Sequence, residues 1–203
     1  MKSIIFICLI GLISVLNASA STLVIWHNSS GTELRDFEGN PLFDGPVNNA
    51  YDGDIIQIGY YTQATTANPF AGIWTPLQSS TIGDKGTVFL GPGRFDYRTV
   101  VASADSLQLL GIPLSIRFFD DVTLENATYL NAVSESSGAW NMIHSSDTRV
   151  NLTITLDAST LVWLGGSGSS FRTTIPIPEP NLLFLVPIVG FGFLRFRARE
   201  WEK

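Results

Sequence analysis

The run Arg149-Val-Asn-Leu-Thr-Ile-Thr-Leu156 alternates apolar and polar residues without a break, and that pattern limits what the chain can become. Successive side chains on an extended strand point to opposite faces. Val150, Leu152, Ile154 and Leu156 therefore share one face, and Asn151, Thr153 and Thr155 the other. A helix would scatter the same apolar residues around its circumference. Further strand candidates are Leu23 to Trp26, Asp54 to Thr62, Thr87 to Leu90, Tyr97 to Ala102, Leu114 to Phe119, Thr128 to Ser134, Trp140 to His144 and Thr160 to Leu164. Between them lie clusters such as NSSG, DFEGNPLFDGP, YDGD, GDKG, GPG and SESSG, rich in residues that supply positive φ or preset a turn. Ala102 to Leu110 is the one helical interlude, a turn or two long. No internal repeat supports a solenoid or propeller. The expected fold class is all-β: a single antiparallel β-sandwich, jelly-roll-like, spanning residues 21–164.

The two ends of the chain carry addresses rather than fold. Met1 to Ala20 has Lys2 as a positive start, an apolar stretch from Ile4 to Leu16, and a small-residue exit Asn17-Ala18-Ser19-Ala20, the layout of a secretory signal peptide. The sole cysteine, Cys8, sits inside that leader, so the expected mature chain from Ser21 has no disulfide framework and no thiolate chemistry. At the other end, Gly165-Gly166-Ser167-Gly168-Ser169-Ser170 opens an expected linker over residues 165–174, and residues 175–203 follow. These hold Pro178-Glu179-Pro180, an apolar segment from Leu182 to Leu194, and a basic tail with Arg195, Arg197, Arg199 and Lys203.

That order of triad, apolar run and basic tail resembles the C-terminal sorting region of PEP-CTERM proteins, envelope proteins of Gram-negative bacteria processed by an exosortase. Phrases such as Asp54-Ile-Ile-Gln-Ile-Gly-Tyr-Tyr-Thr62 and Phe70-Ala-Gly-Ile-Trp-Thr-Pro-Leu77 are similar to parts of uncharacterised ectodomains of that group. The resemblance implies export, a C-terminal membrane-anchor helix at residues 182–194, and an exosortase-type partner; it brings no biochemical activity. The positive-inside rule places the Arg195, Arg197 and Arg199 tail in the cytoplasm and the ectodomain outside it. At about 1.5 Å per residue the apolar segment covers roughly 20 Å of a hydrocarbon core about 30 Å thick, and Pro187 lies within it. A stable span therefore needs help from Ile175 to Asn181, local thinning, or early removal by the processing enzyme.

The chemical inventory is thin. With 18 acidic against 12 basic residues and the bases of the domain scattered, nucleic acid is a poor partner. His27 and His144 lack metal-ligand spacing, so no metal or cofactor is expected. No nucleophile elbow or phosphate-cradling loop is present, and Gly91-Pro92-Gly93 reads as a turn. Asp120 and Asp121 are adjacent and point to opposite faces of a strand, which prevents them from forming the carboxylate pair of a glycosidase. Asp52 and Asp54 flank a glycine as a calcium turn would, yet the remaining ligands of an EF-hand are missing. Asn28, Asn126 and Asn151 fit the N-x-S/T pattern, which the bacterial resemblance leaves without use.

Two function classes lead, and a third, an acid/base glycosidase with two carboxylates facing each other in a cleft, ranks below both. The first is a non-enzymatic envelope or extracellular-matrix protein sorted through its C-terminal tag. The second is a carbohydrate-binding module for exopolysaccharide, with Tyr60, Tyr61, Trp74, Trp140 and Trp163 as candidate ring platforms. Alternation sends Tyr60 and Tyr61 to opposite sides of their strand.

Overall fold

The computed structural model describes residues 21–28, 31–45, 52–83, 90–146, 148–156, 159–166 and 170–177. The signal-peptide, sorting-motif and basic-tail expectations, including Pro178, Glu179, Pro180, Arg195, Arg197 and Arg199, lie outside these residues, as do the apolar segment 182–194 and most of the expected strand Thr87 to Leu90.

Among the described residues the elements are β1 (Ser21–His27), β2 (Ile55–Tyr61), β3 (Trp74–Thr81), β4 (Asp96–Ala102), α1 (Ser103–Gln108), β5 (Leu114–Phe119), β6 (Tyr129–Glu135), β7 (Val150–Thr155), β8 (Leu161–Trp163) and β9 (Ile175–Pro176). The described part of the chain is all-β, with α1 its one short helix. The strands form a three-stranded sheet ordered β4-β1-β7 and a larger sheet ordered β3-β2-β5-β6-β8, with β9 pairing β6.

The smaller sheet follows directly from alternation. Thr22, Val24 and Trp26 of β1 are fully buried, while the residues between them are partly exposed. In the register, Trp26 lies beside Tyr97 and Ile154, and Val24 beside Thr99 and Leu152, so one face of the sheet is buried from edge to edge. The β1–β4 pair is antiparallel and the β1–β7 pair is parallel, which corrects the expectation of purely antiparallel pairing. A parallel neighbour needs a long connection instead of a hairpin, and here most of the chain runs between the two strands.

The larger sheet is antiparallel throughout. Ile56 and Ile58 of β2, Leu114, Ile116 and Phe118 of β5, and Val133 of β6 are fully buried and share one cluster with Val24, Trp26, Leu152 and Ile154 of the smaller sheet. Two side-chain contacts tie the sheets beside this core. The Thr99 hydroxyl donates to Gln78 Oε1 at 2.6 Å, and the Tyr97 hydroxyl donates to the Thr81 carbonyl. The Trp26 indole N–H donates to Thr99 Oγ1 at 2.9 Å, which satisfies the one polar atom of the largest fully buried side chain.

One expected strand is missing, and a strand outside the expectation is present. Trp140 to His144 is not a strand: Asn141 makes a single bridge to Pro113, and Trp140 and Met142 are buried from a loop whose end is held to α1 by the Ser106 Oγ to His144 Nδ1 contact at 2.9 Å. Conversely β3 was not expected, because Pro76 interrupts its period; it tolerates the proline as an outer strand of the sheet. Near the C-terminal side, residues 170–177 are not a free tether. Thr173 is fully buried, Phe171 packs on the core, Thr174 N–H donates to the Leu130 carbonyl at 3.2 Å, and Ile175 pairs with Leu130.

Candidate functional site

The face of the larger sheet turned away from the core carries its most unusual chemistry. Because β2 presents Ile56 and Ile58 to the core, Gln57, Gly59 and Tyr61 face the opposite way. In the register Gln57 is opposite Arg117 of β5 and Ser79 of β3, Gly59 is opposite Ser115 and Pro76, and Tyr61 is opposite Trp74. A register shift between Ile58 and Gly59 marks a bulge on this edge. A Cβ at Gly59 would lie 2.3 Å from the Thr75 carbonyl oxygen and 2.9 Å from Trp74 Cζ2, so only glycine lets the indole lie across the strand.

Three side chains converge over that glycine. The Arg117 guanidinium carbon sits 4.6 Å from the Trp74 ring centre and 5.0 Å from that of Tyr61, and Arg117 Nε donates to the Tyr61 hydroxyl at 3.1 Å. Tyr61 and Trp74 meet edge to face at 5.2 Å, and Phe70 adds an edge contact to Tyr61 at 5.7 Å. A polar chain continues outward: the Trp74 indole N–H donates to Gln57 Oε1 at 3.1 Å, and Gln57 Nε2 donates to Ser79 Oγ at 2.8 Å. Burial raises the Tyr61 hydroxyl above its ordinary range, opposed by the Arg117 charge. Tyr61 is buried, whereas Trp74, Phe70 and Arg117 are partly exposed. Arg117 makes no other hydrogen bond or ion pair among the described residues, so its terminal N–H groups remain available.

Of the five aromatics considered for sugar binding, the structure brings Tyr61 and Trp74 together and separates the others from them. Tyr60 packs against the core cluster, Trp140 is buried at 2 % exposure, and Trp163 is buried with edge contacts to Phe118 and Phe171. Alternation does send Tyr60 and Tyr61 to opposite sides. Sequence reasoning missed Arg117 and Gln57; nothing local marks either, because their meaning arises when β5 and β3 flank β2.

Other polar candidates serve the fold. Asp120 takes the N–H groups of Thr128 and Tyr129, both at 2.9 Å, and Asp121 takes that of Thr123 at 2.9 Å, so each carboxylate holds a loop. Asp54 accepts the Phe43 N–H at 2.7 Å; burial pushes its carboxyl up to about 6 against the pull of that bond, with Asp121, Asp120 and Asp36 adding like charge. Glu135 is buried as well. Burial would raise it, but hydrogen bonds from Ser137, Thr160 and Ala139 win and hold it down at about 2. Ser106, beside His144, is fully buried and donates to the Ser103 carbonyl at 3.1 Å, so it ties a helix rather than presenting a nucleophile. Asn28 spends its side chain on Thr32, Gly93 and Phe95, which leaves its amide no room for a glycan, while Asn126 and Asn151 are exposed. Gly93, at φ 68°, confirms the Gly-Pro-Gly turn.

Among the described residues no group of three His, Cys, Asp or Glu side chains is placed to hold a metal ion, and no helix is long and apolar enough to cross a membrane. Comparison with protein-family models, with curated proteins and with solved structures finds no match for this chain.

Proposed function

We propose that this is an exported, non-enzymatic envelope protein whose C-terminal region is a PEP-CTERM-type sorting tag. The observation that carries the reading is the order Pro178-Glu179-Pro180, apolar run Leu182 to Leu194, then Arg195, Arg197 and Arg199. The bracketing prolines favour an extended backbone, which suits an enzyme cleft. On this reading the N-terminal leader exports the chain, the apolar run holds it in the membrane with the basic tail inside, and an exosortase-type enzyme recognises the triad. The test is the intact mass and fractionation of the native protein in its host with and without the exosortase. A shorter, relocated product in the wild-type strain is expected; equal mass and equal location in both strains overturns the processing.

The ectodomain fits a jelly-roll-like β-sandwich in which the two sheets are the layers. Support comes from the single cluster in which Val24, Trp26 and Ile154 pack with Ile58, Ile116 and Phe118. A second functional reading, carbohydrate binding by that ectodomain, is favoured by one arrangement, the Tyr61–Trp74 pair with Phe70 at its side on the non-core face of the larger sheet. Flat apolar rings beside amide and hydroxyl groups are the surface that sugar rings need. Loss of binding to exopolysaccharide from the host on Trp74→Ala, with the fold intact by circular dichroism, is the expected result; unchanged binding overturns it.

A further inference from the structure

The cluster contains one group that a neutral sugar does not require. Arg117 is a cation held by two aromatic rings, with Nε spent on the Tyr61 hydroxyl and no carboxylate paired with it among the described residues. In a chain with a formal net charge of −6, an arginine kept free of the many available acids is set apart for something else. Its immobilisation matters as much as its charge. A guanidinium braced on Trp74 and Tyr61 has already lost much of its rotamer freedom, so less is lost when it binds. Beside it, Ser115 lies opposite Gly59 on the same face, fully buried, and its hydroxyl has no partner. The surroundings supply apolar edge and polar rim together. Trp74 and Phe70 are partly exposed, and Thr62, Gln63 and Ser79 are exposed around them.

We propose that Arg117 is the anion-recognising residue of a site for a uronate-bearing polysaccharide. Its terminal N–H groups take the carboxylate of the sugar, and the exposed parts of Trp74 and Phe70 take the apolar face of the ring. The planar fork of arginine matches a carboxylate with two parallel hydrogen bonds, and such charge-assisted bonds are about twice as strong as neutral ones. This inference rests on the carbohydrate reading above and adds the charge of the ligand to it.

The test is isothermal titration calorimetry on the full-length chain in mild detergent at low salt. Three probes are used: hexagalacturonate, the neutral galactose hexamer of equal length, and hexaglutamate. The expected result is binding of hexagalacturonate at least tenfold tighter than the neutral hexamer. Arg117→Gln should weaken it about ten- to a hundredfold, the range of one charged hydrogen-bond pair. Arg98→Gln, on the exposed face of β4, should leave it unchanged. Arg117→Lys keeps the charge without the fork and should fall between, and it serves as the second variant if Arg117→Gln alters the circular dichroism. Equal affinity for charged and neutral hexamers, indifferent to Arg117, overturns this proposal and leaves the carbohydrate reading standing. Arg117-dependent binding of hexaglutamate as tight as that of hexagalacturonate overturns the sugar class, and no binding of any probe overturns both.

Discussion

The two sheets use alternation differently. In the three-stranded sheet, one face is buried and the other meets solvent: Val100, Arg98, Asn151 and Thr153 are exposed there, opposite the fully buried Val24 and Trp26. In the larger sheet both faces of β5 are buried apart from Arg117, so Leu114, Ile116 and Phe118 fill the core while Ser115 and Phe119 are buried on the far side. The first sheet is stabilised by a core and little else. The second carries a packed outer layer of aromatic, amide and cationic groups, and a layer of that kind is where recognition can be built without weakening the core.

The sharpest way to break this comparison is to remove the core side of the smaller sheet. Trp26→Ala deletes a fully buried ring that contacts Phe95 at 5.5 Å and Tyr97 at 4.8 Å, and it should cost about 3–5 kcal/mol by denaturant melting. Val100→Ser, on the opposite face of the same sheet, should change stability by less than about 0.5 kcal/mol. A large effect there would mean that the outer face of the small sheet is covered after all.

Gly59→Ala asks the same question of the larger sheet's outer layer. The added methyl meets backbone at 2.3 Å, so a loss of about 1–3 kcal/mol is expected, with a change in Trp74 fluorescence that the Val100 variant lacks.

Two buried carboxylates then sharpen the contrast through pH. Glu135 is held below its unfolded value, so its contribution is present above about 4.5 and is lost as pH falls toward about 2. Glu135→Gln should cost about 1–2 kcal/mol at pH 7, allowing for solvent screening, and almost nothing near pH 2. Asp54 has the opposite sign. Its folded value of about 6 exceeds the unfolded 3.8, so the native state binds the extra proton and stability falls as pH rises from about 4 to about 6. Asp54→Asn should flatten that slope and raise stability at pH 7 by about 1 kcal/mol. Thermal melts at pH 4 and pH 7 separate the two.

Arg117→Gln should also change stability little, within about 1 kcal/mol, since the guanidinium is partly exposed, stacks on its neighbours and makes one hydrogen bond, to the Tyr61 hydroxyl. A loss as large as that of Trp26→Ala would make Arg117 a structural brace and merge the two layers into one.

The same contrast explains what could be read from the sequence. Strands β1, β4 and β7 are half-buried, so their alternation is visible in the residues themselves, as in Val150 to Leu156. Strand β5 is legible in the same way, since Leu114, Ile116 and Phe118 alternate with Ser115 and Arg117, and α1 as a short interruption. Strand β3 is not, because an outer strand with Pro76 has neither pattern. The Trp140 to His144 segment misleads for the converse reason: Trp140 and Met142 alternate because a loop buries them, and burial rather than pairing sets the period. At the candidate site, Tyr61 and Trp74 stand out as aromatics anywhere would. Arg117 could not, because its partners are Tyr61, 56 residues away on β2, and Trp74 on β3, also remote in the sequence, and sheet order is not written in local composition.

The short pairing of Ile175–Pro176 with β6 fixes how much clearance the C-terminal region has. The folded body is still hydrogen-bonded at Ile177, whose N–H reaches the Thr128 carbonyl at 2.9 Å, and the apolar run begins at Leu182. Five residue steps, even fully drawn out, reach no more than roughly 18 Å. On the sorting reading proposed above, with the run from Leu182 held in the membrane, a protease acting at Pro178 to Pro180 would have to work within a gap narrower than a small domain, or first peel the Ile175 strand from its neighbour. The edge of the sheet thereby becomes a gauge of how closely any processing enzyme can approach.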